Sequence, residues 1–132
     1  MVRLFDATKT KTFIEREFQN IEIPERKTGE PIYEIGRLFA TEKADGNSLG
    51  PIMARVAQHL KNTNAKGTIY LDANRAGMKY YSRRRAKVIY TPEQLNQPTG
   101  ATPLWVMKYT VSEFIKEFLT NDYQTVKTRV NK

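Results

Sequence analysis

The chain contains no cysteine, and only one of its 132 residues, His59, is a histidine. The first absence excludes disulfides, thiolate metal sites and cysteine nucleophiles, and the second excludes sites built from several histidines. No EF-hand, Walker or zinc-finger spacing is present either. We therefore expect no metal site. The lack of cysteine fits a cytoplasmic protein.

Long apolar runs are also missing. No segment approaches the roughly 20 apolar residues that cross a bilayer, and the first residues, MVRLFDATKTK, lack the apolar region of a signal peptide. We therefore expect no membrane partner. A length of 132 residues with 39% hydrophobic side chains predicts one domain with a real core.

Acidic residues are outnumbered, 14 Asp and Glu against 22 Lys and Arg, which gives a formal charge of +8. A positive field attracts nucleic acid, acidic proteins and polyanionic cofactors alike, and a solvated basic face is an equal alternative. Contact with phosphates is favoured over base readout because no recognition-helix motif is visible. The candidate polyanion-binding residues are Lys79, Arg83, Arg84, Arg85 and Lys87.

Apolar periodicity and turn residues predict a mixed α/β domain with a central mixed sheet and a C-terminal helix. Residues 12–23 favour a strand, the segment 24–31 with a proline at each end favours a turn, and 32–41 favours a second strand. The region 12–41 is therefore expected to be a long β-hairpin.

The rest of the chain alternates helices and strands. Pro51 fits the first turn of a helix, and Asn74 and Ser112 fit N-caps. A direct strand–helix–strand order predicts a parallel crossover between residues 32–41 and 68–73. The predicted elements are a helix at 51–62, a strand at 68–73, a helix at 75–84, strands at 86–91 and 104–110, and a helix at 113–120 before a polar tail. The expected parts of the single domain are 1–31, a core at 32–110, and 111–132.

The turn 45-DGNSLGP-51 lies between the first strand of that crossover and its helix. Helix N-termini carry unpaired N–H groups that bind phosphate, and ligands of α/β sheets favour the carboxyl ends of parallel strands. The sequence therefore predicts an anion site here, with an ordinary turn and cap as the alternative.

Residues 33–86 resemble the second half of the GNAT acyltransferases. The strand 33-YEIGRLFAT-41 is similar to the family's fourth strand, 45-DGNSLG-50 to its Q/R-x-x-G-x-G/A turn, and 69-IYLDAN-74 to its fifth strand. The segment 74-NRAGMKYYSRRRA-86 is similar to its N-x-x-A-x-x-x-Y-x-x-x-G-F helix.

This resemblance implies a GNAT-like fold that binds acetyl-CoA between two diverging strands and moves the acetyl group to an amine acceptor. It implies that Glu34 is the general base and that Tyr81 protonates the leaving thiolate. From the residues alone, the simpler interpretation is that Glu34 is a polar strand residue and Tyr81 a core or interface aromatic. The implied cofactor-binding residues are Leu38, Phe39, Ala40, Asn47, Ser48, Leu49, Gly50, Pro51 and Asn74.

Two other classes of function remain open. Asp45 and Ser48 stand where the family has Gln or Arg and its first Gly, and the N-terminal half is short for an acceptor lid. These departures favour a non-catalytic GNAT-like assembly protein, as among the internal virion proteins of short-tailed phages, located in a host cytoplasm or virion. The basic cluster favours a nucleic-acid-binding module. Self-association is open as well.

Overall fold

The computed structural model describes residues 3–36 and 46–120, with side chains for all of these except 46–48 and 120. It contains five strands and five helices in this described part, an α+β arrangement that confirms the predicted fold class. In chain order they are β1 (Arg3–Asp6), α1 (Phe13–Glu17), α2 (Glu25–Thr28), β2 (Ile32–Gly36), α3 (Gly46–Asn62), β3 (Thr68–Ala73), α4 (Arg75–Arg83), β4 (Lys87–Tyr90), β5 (Trp105–Thr110) and α5 (Val111–Thr120).

The strands form one mixed sheet in the order β1-β2-β3-β5-β4. Strands β2 and β3 are parallel, with Ile32 opposite Thr68 and Ile35 opposite Leu71, so the predicted parallel crossover is confirmed. The other three neighbouring pairs are antiparallel. Because β2 and β3 run in the same direction, their carboxyl ends lie at one edge of the sheet, where α3 begins.

The predicted hairpin at 12–41 is wrong. Residues 13–17 form helix α1, and the antiparallel partner of β2 is β1, not the segment 12–23. Thr12 and Glu15 close a reciprocal capping box, in which the Thr12 hydroxyl accepts the Glu15 N–H at 3.0 Å and Glu15 Oε1 accepts the Thr12 N–H at 2.8 Å. This local pair starts a helix where the apolar pattern favoured a strand.

Residues 24–31, predicted as a turn, contain the short helix α2. It ends at Gly29, whose φ of 74° is the left-handed conformation that stops a helix at low cost in glycine. The strand predicted at 32–41 ends, within the described residues, at Gly36.

Helix α3 begins at Gly46, five residues before the predicted start, and Pro51 lies inside it. The reason is the apolar face, which starts at Leu49: this side chain is 2% exposed and continues, four residues apart, into the buried Met53 and Ala57. Burial of that face favours the helix despite the missing N–H of Pro51.

Local signals in the C-terminal half were more reliable. Strand β3 has the predicted bounds, and the Asn74 side chain caps α4 by accepting the Gly77 N–H at 2.9 Å. The cap of α5 is Thr110, not Ser112, because the Thr110 hydroxyl accepts the Glu113 N–H at 3.0 Å. The Glu113 carboxylate in turn accepts the Thr110 N–H, so the pair forms a second capping box.

Side chains that alternate along the strands divide the core into two layers. On one face, α3, α4 and α5 bury a cluster that includes Ile69, Leu71, Met107 and Phe114. On the other face, α1, α2 and the segment after β4 cover a cluster that includes Ile32, Tyr70 and Val106. We call these the three-helix face and the α1 face. A helix on the three-helix face and a strand residue on the α1 face are therefore separated by the sheet.

Candidate functional site

The predicted cofactor cleft is only partly described. Leu38, Phe39 and Ala40 lie outside the described residues, and the side chains of Asn47 and Ser48 are not described. The backbone of residues 46–51 is helical, so within the described residues the N–H groups without an intrahelical partner belong to residues 46–48. Leu49 points into the protein interior, and Pro51 carries no N–H. A cofactor role for these residues stays a prediction.

The predicted base, Glu34, is a buried cap of helix α1. Its side chain is 2% exposed, Oε1 accepts the Phe13 N–H at 2.9 Å, and Oε2 accepts the Ile14 N–H at 3.2 Å. Together with Thr12, this carboxylate satisfies the N–H groups at the start of α1. Burial raises the pKa of Glu34, and the two backbone N–H groups partly oppose that shift.

The predicted acid, Tyr81, lies in the core of the three-helix face. It is 1% exposed, and its hydroxyl lies 3.9 Å from the thioether sulfur of Met53. Burial raises its pKa above the ordinary tyrosine value. Its own carbonyl oxygen accepts a hydrogen bond from the Tyr109 hydroxyl at 3.4 Å. Glu34 contacts α1 on the α1 face, so the two predicted catalytic groups lie on opposite faces of the sheet.

The neighbouring Tyr80 was missed by the sequence analysis. Its hydroxyl is buried and has no hydrogen-bond partner in the described part of the chain, and a Cβ atom added to Gly50 would lie 3.7 Å from it. The Arg84 guanidinium lies 5.2 Å from the ring centroid. Burial raises the pKa of Tyr80, which the charge of Arg84 partly offsets. The helical periodicity of α4 was the signal that could have identified Tyr80, because Gly77 and Tyr81 lie on the buried side of the helix and Tyr80 borders that side.

A second group of polar residues, also missed, lies at the opposite end of β3 on the α1 face. The Glu25 carboxylate is 8% exposed, accepts a hydrogen bond from the Tyr70 hydroxyl and lies 3.6 Å from the Lys108 ammonium. Burial opposes its ionisation, but the Tyr70 hydroxyl and Lys108 outweigh it and hold the pKa of Glu25 below its ordinary value. The pairing of β3 with β5 puts Tyr70 beside Lys108, and helix α2 brings Glu25 to them.

A cavity of about 420 Å³ opens beside Glu25 and Lys108. Three cations and three carboxylates line it, so their formal charges cancel. Its charged lining residues other than Glu25 and Lys108 are exposed, including Arg85 and Lys87. The charges of this cavity therefore favour neither an anion nor a cation.

The predicted polyanion-binding residues lie on and just after α4. Lys79, Arg83, Arg85 and Lys87 are exposed, whereas Arg84 is half-buried against the Tyr80 ring. The structure thus places four of the five where a large ligand can reach them.

No protein-family model, no curated protein and no solved structure matches this chain. Across residues 3–36 and 46–120, no helix is long and apolar enough to cross a membrane, and no three His, Asp or Glu side chains gather around a position suited to a metal ion.

Proposed function

We propose that this protein is a non-catalytic binding or assembly protein that uses an α/β scaffold similar to that of the GNAT acyltransferases. The observation that supports this most is the position of the two groups that acyl transfer would use. Glu34 serves as the cap of α1 on one face of the sheet, and Tyr81 fills the core on the other. Assembly of a phage virion, as among the GNAT-like internal virion proteins of short-tailed phages, is one use of such a scaffold.

The environment of Glu34 argues against a role as general base. A base must be accessible to the substrate, with its oxygen within about 2.6–3.2 Å of the heavy atom that carries the proton, or linked to it through one water. Both carboxylate oxygens of Glu34 already accept backbone N–H groups, and the side chain is 2% exposed. Releasing them would leave the Phe13 and Ile14 N–H groups unpaired, at about 1–3 kcal/mol for each buried group.

The environment of Tyr81 argues the same way. A proton donor must reach the leaving thiolate, and the Tyr81 hydroxyl instead faces the Met53 sulfur inside the core. Moving it out would remove a large aromatic ring from the three-helix face, at about 3–5 kcal/mol by comparison with truncation of buried aromatic residues.

The second candidate function is N-acyl transfer from acetyl-CoA to an unidentified amine. Three features favour it: the parallel β2–α3–β3 crossover, the start of α3 at the carboxyl end of β2, and the unpaired Tyr80 hydroxyl beside Gly50. An anion at the start of α3 would meet unpaired N–H groups, and Tyr80 would then be the nearby hydroxyl.

Calorimetric titration with acetyl-CoA separates the two functions. We expect no binding up to about 1 mM, which corresponds to a binding free energy weaker than about −4.1 kcal/mol. The matched variants are Gly50→Glu, which adds a carboxylate near the start of α3, and Gly50→Gln, which adds the same volume without charge. A Cβ atom at Gly50 makes only ordinary van der Waals contact, since the Tyr80 hydroxyl, the nearest described atom outside the helix's own backbone, is 3.7 Å from it.

Micromolar binding that Gly50→Glu abolishes and Gly50→Gln keeps would establish a cofactor cleft. Release of free CoA in the presence of amines, if lost in Glu34→Gln, would overturn the non-catalytic proposal. Binding without release of CoA in any amine mixture would leave a scaffold that holds the cofactor without turning it over.

A further inference from the structure

Helix α4 presents a face made of cations. Arg75, Lys79 and Arg83 are exposed and are spaced four residues apart, so they follow one another along one side of the helix. The opposite side carries Gly77 and Tyr81, which are buried against the sheet. We call Arg75, Lys79 and Arg83 the α4 stripe.

Nothing in the adjacent sequence neutralises this stripe. Residues 73–92 contain no Asp or Glu but contain six Lys and Arg. None of the three stripe cations, nor Arg85 or Lys87, forms an ion pair with a carboxylate of the described chain. The exposed Arg85 and Lys87 extend the charged run beyond the C-terminal end of α4, where they line the charge-balanced cavity together with Glu30 and Glu113. The α4 stripe itself is uncompensated, and a row of this kind produces a positive potential that attracts polyanions.

We infer that α4 binds the sugar–phosphate backbone of a nucleic acid through Arg75, Lys79 and Arg83, with Arg85 and Lys87 as additional phosphate contacts. The stripe runs from Arg75 to Arg83, eight residue steps along the helix, which is about 12 Å at 1.5 Å per step. Successive phosphates of one strand advance about 3.4 Å along a duplex, so the stripe covers the axial length of three to four phosphates. This inference goes beyond the scaffold role proposed above.

The composition of the exposed face favours nucleic acid over other anionic partners. Its fourth exposed member is Ser82, so the face carries no exposed apolar or aromatic side chain. A membrane-surface helix needs an apolar face to enter the lipid, and the apolar side of α4 is occupied by the core. Protein interfaces depend on buried aromatic anchors, which this face lacks. Point charges that contact phosphates predict binding with little dependence on sequence.

The test is fluorescence anisotropy of the full chain with three labelled probes: single-stranded DNA, duplex DNA and single-stranded RNA of one mixed sequence, each about 20 nucleotides or base pairs long. Titrations at about 50–200 mM NaCl give the salt dependence of binding, which counts the phosphate contacts. Comparison of the three probes shows whether the sugar–phosphate backbone that binds is that of single-stranded DNA, duplex DNA or RNA.

The stripe variant is Arg75→Gln/Lys79→Gln/Arg83→Gln. Its control is Lys9→Gln/Lys11→Gln/Lys27→Gln, which removes three exposed cations from the loop before α1 and from α2 and so changes the net charge equally. All six side chains are exposed, so both variants should keep the wild-type circular dichroism and melting temperature.

We expect wild-type binding with a slope of log K against log salt near −4.5 on duplex, for five phosphate contacts. The stripe variant should reduce the magnitude of that slope by about 2.7, for three lost contacts. The control should reduce it by less than about 0.9, the value for one contact. A second variant, Arg85→Gln/Lys87→Gln, should flatten it by about 1.8.

Three results would overturn the inference. The first is the absence of binding to every probe at about 50 mM salt, where electrostatic contacts are strongest. The second is an equal loss of affinity in the stripe and control variants, which would assign binding to net charge alone. The third is equally tight, stripe-dependent binding of labelled polyglutamate, which would assign the surface to acidic protein. None of these depends on acetyl-CoA, so this inference and the proposed function fail independently.

Discussion

Gly67 packs directly against Pro31: a Cβ atom on Gly67 would lie 2.1 Å from the Pro31 carbonyl oxygen. That oxygen accepts the Thr68 N–H at 3.1 Å, and the Gly67 carbonyl accepts the Val111 N–H at 2.9 Å. This contact joins the starts of β2, β3 and α5. Gly67 also has a φ of 118°, a backbone conformation that residues with a Cβ atom rarely adopt.

Gly67→Ala is therefore expected to destabilise the protein by about 3 kcal/mol, since backbone must move to admit the methyl group. Urea unfolding followed by circular dichroism measures this. Gly100→Ala is the control, because Gly100 also has a left-handed φ, 87°, but nothing lies within 4 Å of its Cβ position. The stability lost in Gly100→Ala therefore measures backbone strain alone, which we expect to be about 1 kcal/mol. Equal losses in the two variants would contradict a steric contact at Gly67.

Arg26 connects the segment after β1 with α1. Its guanidinium donates to the carbonyl oxygens of Ala7, Thr8 and Thr10 and forms an ion pair of 2.6 Å with Glu15. Arg26→Gln should cost about 2–4 kcal/mol of unfolding free energy, because several partly buried acceptors lose a charged donor. Arg16→Gln, at an exposed cation on α1, should change stability by less than about 0.5 kcal/mol.

The same pair predicts a pH dependence. Burial opposes ionisation of Glu15, but hydrogen bonds from Arg26 and Thr12 outweigh it and lower its pKa from the ordinary 4.5. The folded state therefore binds this proton more weakly, so the stabilisation is complete above pH 4.5 and is lost as pH falls through the folded pKa. The stability difference between wild type and Arg26→Gln should narrow below pH 4.5. A difference that stays constant down to pH 3 would rule out the contribution of Glu15.

Glu34 offers a direct measurement of its role as a cap. Glu34→Ala removes the acceptors of the Phe13 and Ile14 N–H groups, so we expect a loss of about 2–4 kcal/mol. Hydrogen exchange read by NMR should show these two amides exchanging faster. The amides of α5 should lose only the protection that corresponds to the lower free energy of global unfolding. Thr12→Ala is the comparison. It should lower the free energy of unfolding by about 1 kcal/mol, because the Glu15 N–H loses its acceptor. Unchanged protection at residues 13 and 14 would contradict this role.

Arg85 has a left-handed backbone, with φ of 71°, directly after α4. Glycine occupies such positions without the steric cost of a Cβ atom, so Arg85→Gly should raise stability by about 1 kcal/mol. Arg85→Ala removes the same charge and keeps the Cβ, so it should show no such gain. Thermal unfolding of the two variants gives the comparison, and an equal rise in both would assign the effect to charge instead.

The sequence predicted best where neighbours along the chain decide the structure. Asn74 caps α4 through a residue three positions away, and β3 is a short β-branched and aromatic run. At α1 it missed a local signal, the Thr12–Glu15 capping box, and it could not show that Glu34 satisfies N–H groups twenty and twenty-one residues earlier in the chain. It also failed at the start of α3, where burial of Leu49 outweighs the local preference of Pro51 for a first turn.

Composition and periodicity alone thus determined a mixed α/β domain, a parallel crossover and a basic run after β3, because charge count and apolar spacing are properties of the chain itself. Tertiary structure decided which side chains are available for chemistry. Strand alternation and helix packing placed Glu34 and Tyr81 on opposite faces of the sheet, and the β3–β5 pairing together with α2 brought Tyr70, Lys108 and Glu25 together. Burial and hydrogen bonding between distant segments set those positions, and no spacing along the chain encodes them.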